Sequence, residues 1–224
     1  LNSGFEQLNT RIALQQSALR NWATFRMDLS RTTRDRELGF PVAFHHATAG
    51  DPTMPVYDLT TPGAPYGGYA ERDIFDFYNP LSIVQQNRND QNETILGARV
   101  SGEFSLDDVI NGLSFSLSYS GQRESNVAST YFRKTSKFGN TIPNHGKASK
   151  RLDNHSNQLF ESLLHYKKAF KDVDISLTGG YSIQKFFTEG FGMAGGNFLT
   201  DAFGYNNIGA ALDFDDGSGD VFRE

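Results

Sequence analysis

The stretch from residue 95 to residue 121 restricts the fold most strongly, because polar and apolar residues alternate along it twice. In its first half, one face would carry Leu96, Ala98, Val100, Gly102 and Phe104. In its second half, four serines alternate with Leu113, Phe115, Leu117 and Tyr119. Side chains point to opposite faces of a strand in turn, so each half is predicted to be a strand with one apolar face. The connection ends in Asn-Gly, a pair typical of tight turns, and the stretch is therefore predicted to be a β-hairpin.

The same period of two recurs elsewhere in the chain. It predicts strands at 22–31 and 173–184, and a weaker strand within 1–16. Residues 157–168 fit a helix face and a strand equally well when taken alone. The short reversal at Lys171-Asp172 precedes a clear strand and needs a strand partner, so a strand is predicted on both sides of it.

The connections are short and long in turn. Short reversals are predicted near 17–21, 107–112 and 169–172, and long irregular loops at 32–93, 122–156 and from 186 onward. The first long loop holds six of the seven prolines. All short turns would lie at one end of the sheet, as in outer-membrane barrels with short periplasmic turns and long extracellular loops. The inner faces of a soluble β-sandwich would look equally apolar, so both architectures stay open at this point.

Composition excludes several classes of protein. The chain has no run of about 20 apolar residues, which excludes a transmembrane helix. Its net charge of −5 and its lack of a basic cluster argue against a nucleic-acid binder. Cysteine is absent, so disulfides and thiolate metal sites are not possible.

No catalytic constellation is visible, and we expect neither an enzyme nor a cofactor. His45-His46 are adjacent without an acidic partner at ligand spacing, and are predicted to be loop histidines. The acidic run 213–220 is similar to a calcium loop, but Gly217 and Ser218 occupy positions that need a ligand and a glycine. A solvated acidic loop is therefore expected there.

The aromatic residues of the first long loop are the best candidates for contact with a substrate or partner. A tyrosine ring stacks on sugar rings or apolar side chains while its hydroxyl keeps a hydrogen bond. The candidate contact residues are Tyr57, Tyr66, Tyr69, Phe77 and Tyr78. Tyr66 and Tyr69, flanked by glycine and proline, are predicted to be exposed. Phe75, Phe77 and Tyr78 are predicted to pack against neighbouring loops or a partner.

Several motifs, in order, resemble one known family. Residues 51–58 (Asp-Pro-Thr-Met-Pro-Val-Tyr-Asp) and 75–80 (Phe-Asp-Phe-Tyr-Asn-Pro) resemble the first long barrel loops of SusC/RagA-type TonB-dependent outer-membrane transporters of the Bacteroidetes. Residues 163–184, with Tyr-Lys-Lys before the turn and Gly-Gly-Tyr-Ser after it, are similar to the next hairpin. Residues 195–203 are similar to the loop that follows.

This resemblance implies an all-β fold in which antiparallel strands form part of a transmembrane barrel of about 22 strands, filled by a plug domain. Residues 1–224 would be an internal part of that barrel domain, without the plug. The implied function is TonB-dependent import of glycans or peptides across the bacterial outer membrane. The implied partners are a SusD-like lipoprotein lid, outer-membrane lipid, and TonB-ExbB-ExbD acting through an N-terminal region outside this chain. The alternative is a soluble, secreted β-sandwich that binds carbohydrate or protein through aromatic loops.

Overall fold

The computed structural model describes the chain except for residues 1–2, 19–21, 62–64, 73–75, 141–144, 172, 216–220 and 224. Six long strands follow one another: β1 (Gly4–Ala18), β2 (Ala23–Glu37), β3 (Asn87–Ser105), β4 (Leu113–Phe132), β5 (Lys147–Phe170) and β6 (Val173–Phe198). Two short strands end the series, β7 (Ala211–Phe214) and β8 (Val221–Arg223). Two helices, α1 (Val42–Ala49) and α2 (Pro80–Gln86), lie between β2 and β3, and a 3₁₀ helix (Gly204–Ala210) precedes β7. No helix among the described residues is both long and apolar enough to cross a membrane.

All eight described strands belong to one antiparallel sheet. Strands β1 to β6 lie side by side in chain order, and β7 and β8 both pair with β6. Within the described residues no second sheet covers this one, so a β-sandwich is not supported. The predicted strand at 157–168 is confirmed as part of β5, and the helical alternative for it is wrong.

The predicted central hairpin is confirmed as strands β3 and β4. Val100 lies opposite Tyr119, and Phe104 lies opposite Phe115 with ring centroids 6.3 Å apart. At the turn, Gly112 has φ of 85° and donates its backbone N–H to an Asp107 carboxylate oxygen at 2.7 Å.

The strand register places the apolar faces of all six long strands on one side of the sheet. Leu14, Met27, Val100, Tyr119, Phe160 and Ile183, for example, form one continuous row of paired residues. We call the apolar residues of this face the apolar belt: Leu8, Ile12, Leu14, Phe25, Met27, Leu29, Leu96, Val100, Phe104, Phe115, Leu117, Tyr119, Phe160, Leu164, Tyr166, Val173, Ile175, Leu177, Tyr181 and Ile183. Many of these side chains are strongly exposed, for example Leu14 at 60% and Leu177 at 62%. The belt is thus an exposed surface and not the interior of a water-soluble core.

The opposite face of the sheet, the polar face, carries ion pairs between neighbouring strands. Arg11 pairs with Asp28 at 2.7 Å, and Arg26 pairs with Glu103 at 2.9 Å. Farther along β2 and β3, the Arg34 guanidinium lies 2.9 Å from the Glu93 carboxylate. These three arginines therefore have carboxylate partners on the face that holds the serines of β4.

The boundary of the apolar belt on the side of the long connections, the loop end, is tilted. Counted to the first charged residue of this face, Glu6 in β1 and Lys185 in β6, the belt ends at Leu8 in β1 and at Ile183 in β6, with Phe187 beyond Lys185. Ile183 lies in the row of Leu14, so the boundary falls by about six residues over five strand steps. With about 3.4 Å per residue and 4.8 Å between strands, the strands are inclined by about 40° to the normal of the belt. Strands of transmembrane barrels are inclined by about 35–45°.

Toward the loop end, the strands are longer than predicted. The predicted loops at 122–156 and from 186 onward are wrong over most of 122–156 and as far as residue 198, because β4, β5 and β6 run through these segments. The prediction of one irregular loop over 32–93 is also wrong, since β2 extends to Glu37, α1 and α2 lie within it, and β3 starts at Asn87. Beyond the belt, polar residues stand on both faces of most segments and Phe186 and Phe187 are adjacent in β6, so the alternation that reveals a strand disappears.

Candidate functional site at the loop end

The connection between β2 and β3 is organised around the buried side chain of Asn79. Its oxygen accepts hydrogen bonds from the backbone N–H groups of Leu81 (3.0 Å) and Ser82 (3.3 Å), which caps helix α2. Its amide nitrogen donates to the carbonyls of Val56 (2.7 Å) and Ala70 (3.0 Å). One side chain thereby joins the start of the helix to two loop carbonyls, 23 and 9 residues earlier in the chain.

That segment forms a small two-stranded lobe that presents a pair of tyrosines. Tyr57 and Tyr69 form a β-bridge, and their ring centroids lie 5.5 Å apart. The Tyr69 hydroxyl donates a hydrogen bond to Gln85 of α2, which anchors this ring to the helix. Burial raises the pKa of the Tyr69 hydroxyl, so it remains a neutral donor at physiological pH. Tyr57 is 48% exposed and forms the outer side of the pair.

Tyr66 lies where the lobe meets the connection between β4 and β5. Its carbonyl accepts a hydrogen bond from the Gln86 side chain at 3.1 Å, and the same side chain accepts one from the Thr135 hydroxyl at 2.5 Å. The prediction that Tyr66 and Tyr69 are exposed is not met, since both are only partly accessible. Of the five predicted contact residues, Tyr57 has the most exposed side chain.

Phe77 and Tyr78 pack the loops together, as predicted. The buried His46 ring of α1 meets Phe77 at 5.6 Å and Tyr78 at 5.3 Å, edge to face in both cases. Tyr78 also meets Phe138 of the next connection at 5.3 Å. Burial is the main reason why the pKa of His46 is lowered, which keeps this imidazole neutral within the aromatic cluster. Phe75 lies outside the described residues.

Two aspartates shape the surface turns of this connection. The Asp51 carboxylate accepts hydrogen bonds from the hydroxyl (2.7 Å) and backbone (2.9 Å) of Thr53 and also pairs with Arg72, which lowers its pKa to about 2. Bonds from Thr61 and Thr60 lower the pKa of Asp58 to about 2. Both carboxylates remain ionised at physiological pH and are already used by neighbouring donors.

A second cluster attaches the segment after β6 to the loop end of β4. The Tyr131 hydroxyl donates to Asp201 at 2.5 Å, and the Lys134 backbone N–H donates to the same oxygen at 3.1 Å. Tyr131 packs in a core with Ala148, Phe198, Ile208 and Ala211. Burial and the adjacent carboxylate raise the Tyr131 pKa, which keeps this hydrogen bond in place.

The residues considered for metal binding, His45, His46 and the acidic run 213–220, do not form a metal site among the described residues. His45 and His46 lie on helix α1 and not in a loop, which corrects that prediction. The described residues contain no group of three or more His, Asp or Glu side chains arranged for a metal ion. Residues 216–220 of the acidic run lie outside the described part of the chain. Of its first residues, Asp213 accepts a hydrogen bond from Asn197 at 3.0 Å and Asp215 pairs with Lys147 at 3.0 Å.

Sequence reasoning missed Asn79 and the Tyr131–Asp201 contact. For Asn79 a signal was present, because asparagine followed by proline is typical of a helix start. The Tyr131–Asp201 contact joins residues 70 positions apart, and the resemblance of 195–203 to a family loop gave no sign that Asp201 would bind Tyr131.

Comparison with known proteins gives one match in sequence and several in fold. No family model matches the chain. It is 26% identical over 133 residues to the TonB-dependent receptor P3 of Formosa agariphila, an alignment that covers 59% of this chain and 13% of that protein. Solved structures of the RagAB peptide importer in its open-open state and of the RagAB peptide transporter superpose with a TM-score of 0.70 at 10% identity. These superpositions cover 99% of this chain and 24% of the other.

The resemblance to SusC/RagA-type TonB-dependent transporters is thereby confirmed, in sequence by a TonB-dependent receptor and in fold by the RagAB structures. The chain spans about a quarter of the solved chains and a smaller share of the receptor. The names of these proteins are those of a receptor and of importers, not of enzymes.

Proposed function

We propose that residues 1–224 form part of the wall of a transmembrane β-barrel of about 22 strands, in a TonB-dependent transporter of the bacterial outer membrane. The observation that carries this proposal is the apolar belt, a continuous exposed surface across six strands whose boundary has the slope expected for tilted barrel strands. In this arrangement the belt contacts lipid. The polar face, with its ion pairs, lines the interior.

The free edge of the sheet supports the same assignment. Strand β1 pairs with β2 alone among the described strands, so one side of a 15-residue strand has backbone groups without strand partners. A long open edge invites pairing with further strands. We take this edge as the seam where the next strands of the barrel domain add.

Cysteine labelling tests which side of the sheet faces lipid. The chain has no native cysteine. Val100→Cys would place a spin label on the apolar belt, and Ser101→Cys on the polar face of the same strand. In outer-membrane vesicles containing the full-length protein, with no other cysteines, we expect oxygen to relax the label at position 100. A polar nickel complex should reach the label at 101. Strong access of the nickel complex to position 100 would show that the belt contacts water and would contradict the proposal.

The transported substrate is proposed to be a glycan or peptide, captured together with a SusD-like surface lipoprotein. The loop end supplies a docking surface in which Phe77 and Tyr78 hold the loops in place and the tyrosine pair Tyr57–Tyr69 faces outward. Energy would come from TonB-ExbB-ExbD through a region outside this chain. No chemistry on the substrate is required.

Truncation of Tyr57 tests this docking role. For Tyr57→Ala in the full-length protein, we expect substrate uptake or lipoprotein binding to weaken about fivefold, because an interface residue that contributes to binding is worth about 1 kcal/mol or more. Phe44→Ala is the control, since Phe44 is an exposed aromatic residue (64%) of α1 outside the tyrosine pair. Unchanged uptake and unchanged lipoprotein binding in Tyr57→Ala would remove Tyr57 from the contact surface.

A further inference from the structure

A groove lies on the apolar side of the sheet at the loop-end boundary of the belt. Its volume is about 630 Å³. Ala98 and Gly121 are neighbours in the register and form its floor, while Leu29 and Leu96 stand beside them. Because both floor residues are small, the groove is deep enough to hold a hydrocarbon chain against the sheet.

Three cationic side chains lie at this boundary. Arg31 and Arg123 both line the groove and occupy one row of the register, on either side of Leu96. Lys185 lies on the same face in the adjacent row, opposite Gln158. All three are exposed, and none forms a hydrogen bond or an ion pair with another described residue. On the polar face, Arg11, Arg26 and Arg34 each have a carboxylate partner, whereas Arg99 has none among the described residues.

The spacing of these cations points to a ligand with several negative charges. They stand on β2, β4 and β6, so successive cations are two strands apart, or about 10 Å. One acidic side chain, Glu189, also lines the groove, and its register partner on β8 is Arg223. The boundary therefore has excess positive charge across about 20 Å, which is wider than a single phosphate.

We propose that this groove binds a lipid that carries more than one phosphate, as a multiply phosphorylated glycolipid of the outer leaflet does. An acyl chain lies over Ala98 and Gly121, and the phosphates contact Arg31, Arg123 and Lys185. Arginine binds phosphate through two parallel hydrogen bonds, and these are strengthened next to hydrocarbon, where the dielectric constant is low. The inference rests on the proposed function in one respect, namely that the apolar belt faces lipid.

Native mass spectrometry of the full-length protein in detergent tests the proposal. The probes are bis-phosphorylated lipid A, dephosphorylated lipid A and phosphatidylglycerol. The double variant Arg31→Ala/Arg123→Ala removes two groove cations, and Gly121→Leu fills the groove without a change of charge. The control Arg26→Ala/Arg99→Ala removes the same number of charges from the polar face of neighbouring strands.

We expect bis-phosphorylated lipid A to bind both groove variants at least about tenfold more weakly than the parent, and the control variant unchanged. Dephosphorylated lipid A should bind all forms equally weakly. Equal binding of bis-phosphorylated lipid A to parent and groove variants would overturn the proposal. So would an equal loss in the control, or an equal loss for phosphatidylglycerol. When the lipid-binding result contradicts this inference, the spin label at position 100 separates two cases. A label in contact with water would show that the proposed function fails as well. A label in contact with lipid would show that only this inference fails.

Discussion

At the scale of single residues, Glu71 is the least compensated group at the loop end. One of its carboxylate oxygens accepts the backbone N–H of Asn79 at 3.0 Å, whereas the other is buried and has no hydrogen-bond partner among the described residues. Burial is the main reason why the pKa of Glu71 is raised from its ordinary value near 4.5. The backbone of Asn79 is therefore hydrogen-bonded to a carboxyl group whose burial favours protonation more than water would.

This shift gives the loop end a dependence on pH of known sign. Because the folded pKa is raised, the protonated form favours the folded loop, and this contribution is lost as pH rises from about 4.5 through the folded pKa. We expect the amides of Asn79, Leu81 and Ser82 to exchange more slowly at pH 5 than at pH 7, after correction for intrinsic exchange rates. Hydrogen exchange with mass spectrometry of the full-length protein measures this.

The matched variant is Glu71→Gln, which keeps an acceptor for the Asn79 N–H and removes the titration. Its corrected exchange should not vary over the same pH range. If parent and Glu71→Gln show the same dependence on pH, another group is responsible.

At the scale of elements, the hairpin of β3 and β4 depends on the glycine at its turn. Gly112 has positive φ, and a Cβ at this position would lie 1.9 Å from the backbone carbonyl oxygen of Lys167 in β5. That carbonyl belongs to a strand, so it cannot move as a flexible side chain would. The same glycine accepts a backbone hydrogen bond from Lys167 at 2.8 Å, which joins the turn to the neighbouring strand.

Gly112→Ala is therefore expected to lower the yield of folded protein and to reduce stability by about 1–3 kcal/mol, through backbone strain and a steric clash. Heat-modifiable migration in gel electrophoresis measures the folded fraction. The control is Gly121→Ala in the same hairpin, where a Cβ would meet only the Tyr119 side chain, with its hydroxyl oxygen at 3.9 Å and a ring carbon at 4.0 Å. Equal folded fractions for the two variants would show that the turn tolerates a side chain.

The strands could be predicted from the sequence only where one of their faces is apolar. Alternation identified β2 as far as Arg31 and β6 as far as Gln184, which are the parts that carry the belt. Beyond those points, side chains such as Arg34 and Glu189 interrupt the alternation, and register with a neighbouring strand maintains the structure. The sequence of one strand contains no sign of its partner's hydrogen bonds, so the outer halves were missed.

The candidate site could also be predicted only in part, because the sequence shows which residues are aromatic but not which distant residues they contact. The aromatic content of the first long loop indicated a contact surface, and the packing of Phe77 and Tyr78 followed from it. The relative exposure of Tyr57, Tyr66 and Tyr69 depends on Gln85 and Gln86 of a helix that was not predicted.

At the scale of the whole molecule, a sheet in a membrane differs from a soluble sheet in the free energy needed to place a charged side chain on its apolar face. Leu117 lies in the middle of the belt on β4, and Ser118 is the next residue, on the polar face. In the proposed barrel, an arginine at 117 would enter hydrocarbon at a cost of about 2–4 kcal/mol near the midplane of the bilayer. An arginine at 118 would lie opposite Glu161, which is its register partner on β5.

We therefore expect Leu117→Arg in the full-length protein to reduce the folded fraction in the outer membrane severalfold, and Ser118→Arg to leave it near that of the parent. Fractionation followed by heat-modifiable migration measures both variants in one experiment. The two substitutions add the same charge one residue apart, so an effect of net charge alone would be the same in both. In a water-filled or solvent-exposed setting, Leu117→Arg would be tolerated as well as Ser118→Arg. That result would mean that the apolar belt does not contact lipid.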